Sequence, residues 1–449
     1  MISKYSHIYF IGIGGIGMSA LAQYFFHEGK VIGGYDRTQT DITKGLEKMG
    51  MVLNYEESKT AIPNSFLNQD NVLIIYTPAI KRGNQQLDYF FDNGFKVIKR
   101  SQALGEITQN TFCFAVAGTH GKTTTSSILA HLLYECNVPV SAFLGGVTVN
   151  YSSNYFSNGT GVSVVEADEF DRSFLTLNPD YACITSMDAD HLDIYGEKSE
   201  LELSFKDFAG KVPDNGKLFV RSGLPLSGIT YGVDDSSIYS SENIRMEEGG
   251  YVFDLRMPHS IIKDIKFNLP GRHNVSNATV ALAMAAEYGC PPEQLAKALA
   301  SYKGVVRRFN YRIKTNELVV IDDYAHHPTE IKAVLEAVKE FYPERKNLVV
   351  FQPHLYSRTR DFGDEFALVL SCFDEVILLD IYPARELPIQ EITSGWLLEK
   401  ISIENKSLVS KDNLLNKIKS SDASVIALLG AGDIGEEVSK IVNGLKVEN

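Results

Sequence analysis

Short β-branched runs alternate with helix-like stretches along this chain, and the polar, reactive segments follow directly after the apolar runs. That order constrains the fold more than any other feature. A parallel strand buried on both faces reads as a continuous apolar run, and its return helix reads with a period of 3.6. The runs at 7–13, 30–35, 72–76, 112–117, 162–165, 182–185, 318–321, 348–351, 376–379 and 425–429 are expected strands. Helices are expected at 19–27, 123–134, 275–288 and 329–341, the last with Ile331, Val334, Leu335 and Val338 on one face. Gly289 closes the third of these, and Pro291-Pro292 opens another helix. Residues 211–268 are more polar and turn-rich, which suggests a β excursion. At roughly 100–200 residues per domain, 449 residues suggest three α/β domains. We place them at 1–108, 109–310 and 311–449.

Ligands in parallel α/β sheets bind beyond the carboxyl ends of strands. The segments GTHGKTTT, EADEFD, DADHLD, DDYAHHPTE, FQPHLYSRT, DIYPARE and GAGDI all stand at such ends. The first is the most informative. Gly118-Thr119-His120-Gly121-Lys122-Thr123 lies between a strand and a helix. Its backbone N–H groups and the helix N-terminus suit phosphate. Lys122 would reach the outer phosphates, and the Thr123 hydroxyl a Mg²⁺ ion. The loop is shorter than a full Walker A pattern, since Val116 stands where the first glycine would. The competing view, an ordinary glycine turn with a solvated lysine, fits the strand–loop–helix order less well.

Two acidic loops follow. Glu166, Asp168, Glu169 and Asp171 end one strand, and Asp188, Asp190, His191 and Asp193 the next. Hard oxygen ligands of this kind suit Mg²⁺ on a nucleotide. Taken singly, each loop reads equally well as solvated surface.

Near the N-terminus, Gly12, Gly14, Gly15 and Gly17 follow a strand, and Asp36 ends the next one. This fits a dinucleotide fingerprint, with the acid on a ribose hydroxyl. A UDP-sugar also carries a diphosphate and a ribose, so the glycines alone leave an NAD-dependent oxidoreductase open. That alternative leaves GTHGKTTT and the acidic loops without a purpose. A non-catalytic nucleotide-binding regulator is the other alternative; it would bind ATP without substrate-stimulated phosphate release.

Composition excludes other classes. With 43 Lys plus Arg against 56 Asp plus Glu, the net charge is −13, which disfavours wrapping nucleic acid. Apolar residue 8 to residue 22 is broken by glycines and reads as a strand entering a turn rather than a signal peptide. No apolar run nears the ~20 residues of a membrane helix, so no membrane insertion and a cytoplasmic location are expected. Five scattered cysteines without a CxxC pair read as structural thiols of a reducing compartment.

Together these segments resemble the Mur ligase family. The likeness rests on GIGGIGMSALA (12–22, with Ile11 before it), GTHGKTTT, EADEFDRSFL, DADHLD, GRHNVSNA (271–278), VVRRF (305–309), DDYAHHPTE, FQPHLYSRTRD, DIYPARE and GAGDI. It implies a Rossmann-like N-terminal domain for a UDP-sugar, a central P-loop ATPase α/β domain, and a C-terminal Rossmann-like α/β domain completing the amino-acid site. It implies ATP, UDP-N-acetylmuramate and L-alanine as substrates, Mg²⁺ as cofactor, an acyl-phosphate intermediate and a part in peptidoglycan precursor synthesis. Carried over by residue, Gly118–Thr124 hold the ATP phosphates; His273, Asn274 and Asn277 face adenine; Asp323 and Tyr324 reach ATP. Thr123, Glu166 and His191 hold metal. Gly14, Gly15, Gly17 and Asp36 take the UDP-sugar. Lys122, Arg308, His327, His354 and Arg358 are the expected catalytic residues, with Arg358 on the alanine carboxylate and either histidine as proton acceptor. The plainer expectation for Arg358 and Arg360 is a solvated helix start, and for His326 and His327 a helix cap before Pro328.

Two positions depart from the family pattern. Phe170 replaces the usual serine, which hints at a related ligase that recycles whole peptides. Leu355 stands where arginine is common, which removes a charged substrate contact. The short, uninterrupted stretch after Phe170 favours a single amino acid.

An acyl phosphate must be kept from water, so closure of the third domain is expected to gate the reaction. Small-angle scattering should show a smaller radius of gyration when an ATP analogue and the UDP-sugar are both added. Curves that do not change would contradict closure.

Overall fold

The computed structural model describes residues 2–188, 195, 197–384 and 386–446, apart from the side chains of Asp171 and Lys198. The chain parts into two compact units. The first comprises Met1–Arg245, Val252–Phe267 and Ser276–Lys303; the second comprises Met246–Tyr251, Asn268–Val275 and Gly304–Asn449. Three sheets carry the three-domain α/β architecture.

The first sheet holds β1 (His7–Ile11), β2 (Val31–Tyr35), β3 (Val52–Asn54), β4 (Val72–Tyr76) and β5 (Lys96–Lys99), all parallel, in the order β3-β2-β1-β4-β5. β1 is central, and Ile8 to Ile11 are fully buried. The strand ends at Ile11, two residues earlier than expected, because Gly12 turns with φ +87°. The following helix, Ile16–His27, begins three residues earlier than expected, its first turn carrying Gly17.

The second sheet has ten strands: β6 (Phe112–Ala117), β7 (Val140–Thr148), β8 (Ser153–Ser157), β9 (Val162–Ala167), β10 (Tyr181–Ile184), β11 (Lys217–Arg221), β12 (Ile229–Val233), β13 (Tyr239–Glu247), β14 (Gly250–Arg256) and β15 (Ile261–Phe267). Their order is β15-β14-β13-β12-β11-β10-β6-β9-β7-β8. From β7 through β9, β6, β10, β11 and β12 to β13 the pairs are parallel, and β8 closes one edge antiparallel. β11 to β15 are the β excursion expected at 211–268. β6 sits in the middle, flanked by β9 and β10, so the phosphate loop leaves the best-supported strand of the sheet.

The helix Ile16–His27 packs on this second sheet. Asn154 on β8 donates from Nδ2 to Ser19 Oγ at 3.0 Å, and Gln23 Nε2 donates to Asn154 Oδ1 at 3.3 Å. Tyr24 lies against Phe143, with ring centroids 5.3 Å apart. One continuous core runs from Ile8 and Phe25 through Phe143 and Val165 to Phe205. The N-terminal glycine turn is thus held by apolar packing as well as by its own sheet.

In the second unit, β16 (Asn310–Lys314), β17 (Val319–Asp323), β18 (Asn347–Phe351), β19 (Glu375–Leu378), β20 (Lys406–Leu408) and β21 (Val425–Leu429) order as β16-β17-β21-β18-β19-β20. Only β16 is antiparallel, with a bulge between Tyr311 and Ile313. Every residue of β17, β18, β19 and β21 is buried, and separate apolar clusters cover the two faces. Among the described residues, no helix is long and apolar enough to cross a membrane.

Phe114 on β6 shows how tightly the central sheet is packed. It is fully buried, with ring centroids of Phe112, Tyr288 and Tyr181 at 5.1, 5.4 and 5.5 Å. Phe114→Ala should lower stability by about 3–5 kcal/mol in urea unfolding. A loss below about 1 kcal/mol would mean that this core collapses to fill the void.

Candidate active site

The phosphate loop is built by close backbone approach. Gly118 has φ +130°, and a Cβ there would lie 2.1 Å from Thr185 Oγ1. Any side chain would collide with the end of β10, so glycine is required. Gly121, also left-handed, is the N-cap of the helix Lys122–Glu135, and no side chain caps that helix. Its first N–H groups are therefore left for an anion. The loop rests on the residues after β10: Thr119 Oγ1 donates to Asp188 O at 2.8 Å, and the His120 N–H to Ser186 Oγ at 2.8 Å.

Lys122 is aimed by loop carbonyls and by a carboxylate. Its Nζ donates to Gly118 O at 2.7 Å and to both oxygens of Glu169 at 2.8 Å. The Glu169 side chain is 1% exposed. Burial alone would lower the lysine pKa, but the carboxylates of Glu169, Asp168 and Glu166 outweigh it and hold the ammonium above its ordinary value. Thr123 Oγ1 donates to Glu166 Oε2 at 3.0 Å, Ser126 Oγ to Glu166 Oε1 at 3.4 Å, and the Gly145 N–H to the same oxygen. β9 runs to Ala167, two residues beyond the apolar run, and so carries Glu166 into line with Val116 on β6. Thr123 and Glu166, two of the three expected metal ligands, are thus brought together. The third, His191, lies outside the described residues, as do Asp190 and Asp193. No group of three or more His, Cys, Asp or Glu among the described residues is arranged to hold a metal.

Asn277 stands at the loop: its Oδ1 would lie 2.7 Å from a Cβ on Gly121. His273 and Asn274 sit in the first turn of the same helix, Arg272–Tyr288, where Asn274 Nδ2 donates to Pro270 O at 2.6 Å.

At the N-terminal turn, the Gly14 N–H donates to Asp36 Oδ2 at 2.8 Å and the Thr38 N–H to Asp36 Oδ1 at 3.3 Å. Gly15 is the N-cap of Ile16–His27, again without a side-chain cap. Gly17 leaves room for a side chain from outside the turn: a Cβ there would lie 2.7 Å from the Arg100 guanidinium, which would have to shift. Arg100 also pairs with Asp168 at 3.6 Å, so one cation lies between the glycine turn and the acidic loop. Arg100 opens the helix Arg100–Gln109 directly after β5.

The second unit holds its own cluster. Asp323 ends β17 and is 7% exposed. It accepts the Phe309 N–H at 2.6 Å and the Ala325 N–H at 2.7 Å. Burial pushes its carboxyl up to about 6, against the pull of Arg308. Arg308 pairs with Glu330 at 3.8 Å and lies 5.3 Å from the Tyr324 ring centroid. Its neighbours Arg307 (φ +60°) and Phe309 (φ +47°) are both left-handed, a strain of roughly 1–2 kcal/mol each that the packed turn must hold. His327 caps the helix Pro328–Phe341 by accepting the Thr329 N–H on Nδ1 at 3.3 Å, so the plainer expectation is met. For Arg358 it is not: this arginine is 7% exposed, and donates to His354 Nδ1 at 3.4 Å. Arg360 is the solvated one, beside Asp361 at 2.7 Å. The His354 ring stacks on Tyr382, 5.7 Å away, and lies 5.9 Å from His326. Leu355 is left-handed at φ +71° and begins the helix Tyr356–Asp361.

Sequence reasoning missed Arg100, Ser126 and Gly145, and gave Glu169 no partner. The strand-end rule, applied to β5, would have found Arg100. Nothing in the sequence says which of the acids at 166–171 meets Lys122, since tertiary register alone decides that.

Family models match nearly end to end: the Mur ligase family catalytic domain over 7–111, the Mur ligase middle domain over 116–285, and the Mur ligase glutamate ligase domain over 307–432. A UDP-N-acetylmuramate--L-alanine ligase of Christiangramia forsetii is 58% identical over 445 residues, covering 99% of this chain and 98% of its own. The chain belongs to the Mur ligase family. Another Mur ligase of the same description, from Flavobacterium psychrophilum, is 56% identical, covering 98% of each chain. The crystal structure of a UDP-N-acetylmuramate-alanine ligase from Thermotoga maritima superimposes with a TM-score of 0.83 at 28% identity, covering 99% of this chain and 100% of its own. A murein peptide ligase from Psychrobacter arcticus shares the fold, with a TM-score of 0.72 at 24% identity over 98% of each chain.

For this Mur ligase the raised Asp323 pKa carries a sign. The folded chain holds that proton more tightly than an unfolded aspartate does. Its contribution is full below about pH 4 and is lost as pH rises through about 6. Urea midpoints should fall across that window, and Asp323→Asn should flatten the fall. An unchanged slope in the variant would remove Asp323 as its source.

Proposed function

We propose that this chain couples L-alanine to the carboxylate of UDP-N-acetylmuramate with hydrolysis of ATP to ADP and phosphate, by way of an acyl phosphate. The observation that carries the reading is the phosphate loop, where a buried ammonium and unpartnered helix N–H groups meet at the end of the central strand. The high identity to ligases of that description over nearly the full chain supports the same substrates. The proposed domains divide near residues 108 and 310, and the proposed location is the cytoplasm.

A carboxylate resists attack by an amine because its leaving group would be oxide. Transfer of the γ-phosphoryl to a carboxylate oxygen supplies a better leaving group. The alanine nitrogen then attacks the acyl carbon, and phosphate departs. The protein's part is positioning and charge neutralisation. In this reading Gly118 to Thr124 cradle the phosphates, with Lys122 on the transferring group, and Arg308 adds a second cation. Asn277, with His273 and Asn274, faces adenine, and Asp323 and Tyr324 complete the nucleotide contacts. Gly14, Gly15, Gly17 and Asp36 take the UDP-sugar. Arg358 holds the alanine carboxylate by paired hydrogen bonds. His327 or His354 accepts the amine proton; Nδ1 of the first is taken by the helix cap, and Nδ1 of the second by Arg358.

Mg²⁺ fits the donor set, because the Thr123 hydroxyl and the Glu166 carboxylate are hard oxygen ligands 3.0 Å apart. Bound there with His191, it would neutralise phosphate charge. The protein's own share is to hold Glu166 in place through Ser126 and the Gly145 amide.

The test is phosphate release with ATP, UDP-N-acetylmuramate and a panel of amino acids and peptides. Release should need the UDP-sugar and L-alanine together. Preference for a tripeptide would move the assignment to peptide recycling, and release without either substrate would overturn it. Lys122→Ala should lose about 10²–10³-fold in kcat and also some stability, with a circular dichroism spectrum that stays native at the assay temperature. A fully active variant would remove Lys122 from the phosphoryl site.

A further inference from the structure

Three of the five cysteines have plain surroundings. Cys113 on β6 and Cys183 on β10 are buried in the central sheet, and burial pushes both thiols up to about 12. Cys372 is exposed, and its thiol donates to Leu368 O at 3.4 Å. Cys136 and Cys290 differ, because the fold brings them side by side from positions far apart in the chain.

The helix Lys122–Glu135 lies on the helix Pro292–Ser301. Ser127 Oγ meets the Tyr302 hydroxyl, and one turn further on His131 Nε2 meets Ala298 O at 3.0 Å and Ser301 Oγ at 2.9 Å. Contacts advance along one helix as they retreat along the other, so the pair is antiparallel. The C-terminal end of the first must then meet the start of the second. Cys136 is the C-cap of the first helix, its N–H bonded to Leu132 O at 3.0 Å. Cys290 stands directly before the N-cap Pro291, its N–H bonded to Ala285 O at 3.0 Å. The two side chains are near enough that each is the leading influence on the other's titration. Both backbones are anchored, so the contact is fixed by helix packing.

The two sulfurs are unequal. Cys136 is partly exposed, whereas Cys290 is 5% exposed. Contact with Cys290 pulls the Cys136 thiol below its ordinary value, against burial and Glu135. The same contact, with burial, raises the Cys290 thiol. The accessible sulfur is the one a peroxide reaches, and the enclosed sulfur sits beside it.

We propose that Cys136 and Cys290 form a reversible oxidation site for hydroperoxides, in which Cys136 is oxidised first and Cys290 closes a disulfide onto it. The Cys136 thiolate attacks one oxygen of hydrogen peroxide and the O–O bond breaks. The departing hydroxide takes up the thiol's proton as water, leaving Cys136 as sulfenic acid. The Cys290 sulfur then attacks the Cys136 sulfur, the S–O bond breaks, and the hydroxyl leaves as water with the Cys290 proton. Two thiols and one peroxide give one disulfide and two waters; the sulfurs supply both electrons. The bridge stops oxidation at a stage that a dithiol reductant reverses, short of sulfinic acid. It also ties the far end of the phosphate-loop helix to the helix behind it, without touching the loop. The site does not depend on the ligase assignment.

The full chain would be treated with hydrogen peroxide under native conditions, alkylated after denaturation, digested without reductant and sequenced by mass spectrometry. The expected product is a single linked peptide joining Cys136 to Cys290, with the protein lighter by two hydrogens and restored by dithiothreitol. Cys290→Ser should instead accumulate a sulfenic acid at Cys136, trapped by dimedone. Cys136→Ser should leave Cys290 unoxidised at the same peroxide dose. Wild-type protein that carries dimedone or sulfinic acid at Cys136 without the link would overturn the proposal. So would a link to Cys113, Cys183 or Cys372, or thiols at 136 and 290 that stay fully alkylatable.

Discussion

A lysine ammonium held at the end of a buried strand sets the conditions for the rest of the first unit. The Lys122 side chain is 16% exposed, so its charge needs a fixed partner whenever no phosphate is present. Glu169 is that partner, and removing one member of a buried pair costs about 3–5 kcal/mol because the other charge is stranded. The acidic loop after β9 is therefore required by the lysine before any nucleotide arrives. Two close approaches keep the geometry: Gly118 lets Thr185 reach the loop, and Glu166 is clamped by Thr123, Ser126 and the Gly145 amide. Each depends on strand register, since β9 and β10 both pair directly with β6.

The same construction recurs in all three sheets. An apolar parallel strand ends in a residue that either turns sharply or carries charge, and a helix starts at once with its N–H groups uncapped or capped by a functional side chain. In the first sheet this gives Gly12 to Gly15 and Arg100. In the second unit it gives Asp323 at the end of β17 and the His327 cap just beyond. Burial makes these groups chemically unusual. Enclosure lifts the Asp323 carboxyl to about 6, and Arg358 is drawn inward to His354 rather than left in water.

The strands and helices were legible because both faces of each sheet are covered, so the apolar runs are continuous and the polar residues mark their ends. Where the reading erred, it erred at edges: Gly12 ends β1 early, and Glu166 belongs to β9 although its charge looks like loop. The phosphate loop was legible because its spacing is local. The partners of its lysine and threonine were not, since Glu169 and Glu166 lie more than forty residues away and four acids compete on composition alone. Arg100 was hidden by a short, lysine-flanked strand. His327 shows the opposite case: the plain capping role, written in the Pro328 that follows it, is the one the geometry displays.

The central claim is that the terminal phosphoryl of ATP, gripped at residues 118–124, passes to a carboxylate oxygen before any amide forms. Isotope transfer reads that event directly. With UDP-N-acetylmuramate carrying oxygen-18 in its lactyl carboxylate, one labelled oxygen should appear in the phosphate released during turnover with L-alanine. Phosphate released free of label, with amide still formed, would contradict the account.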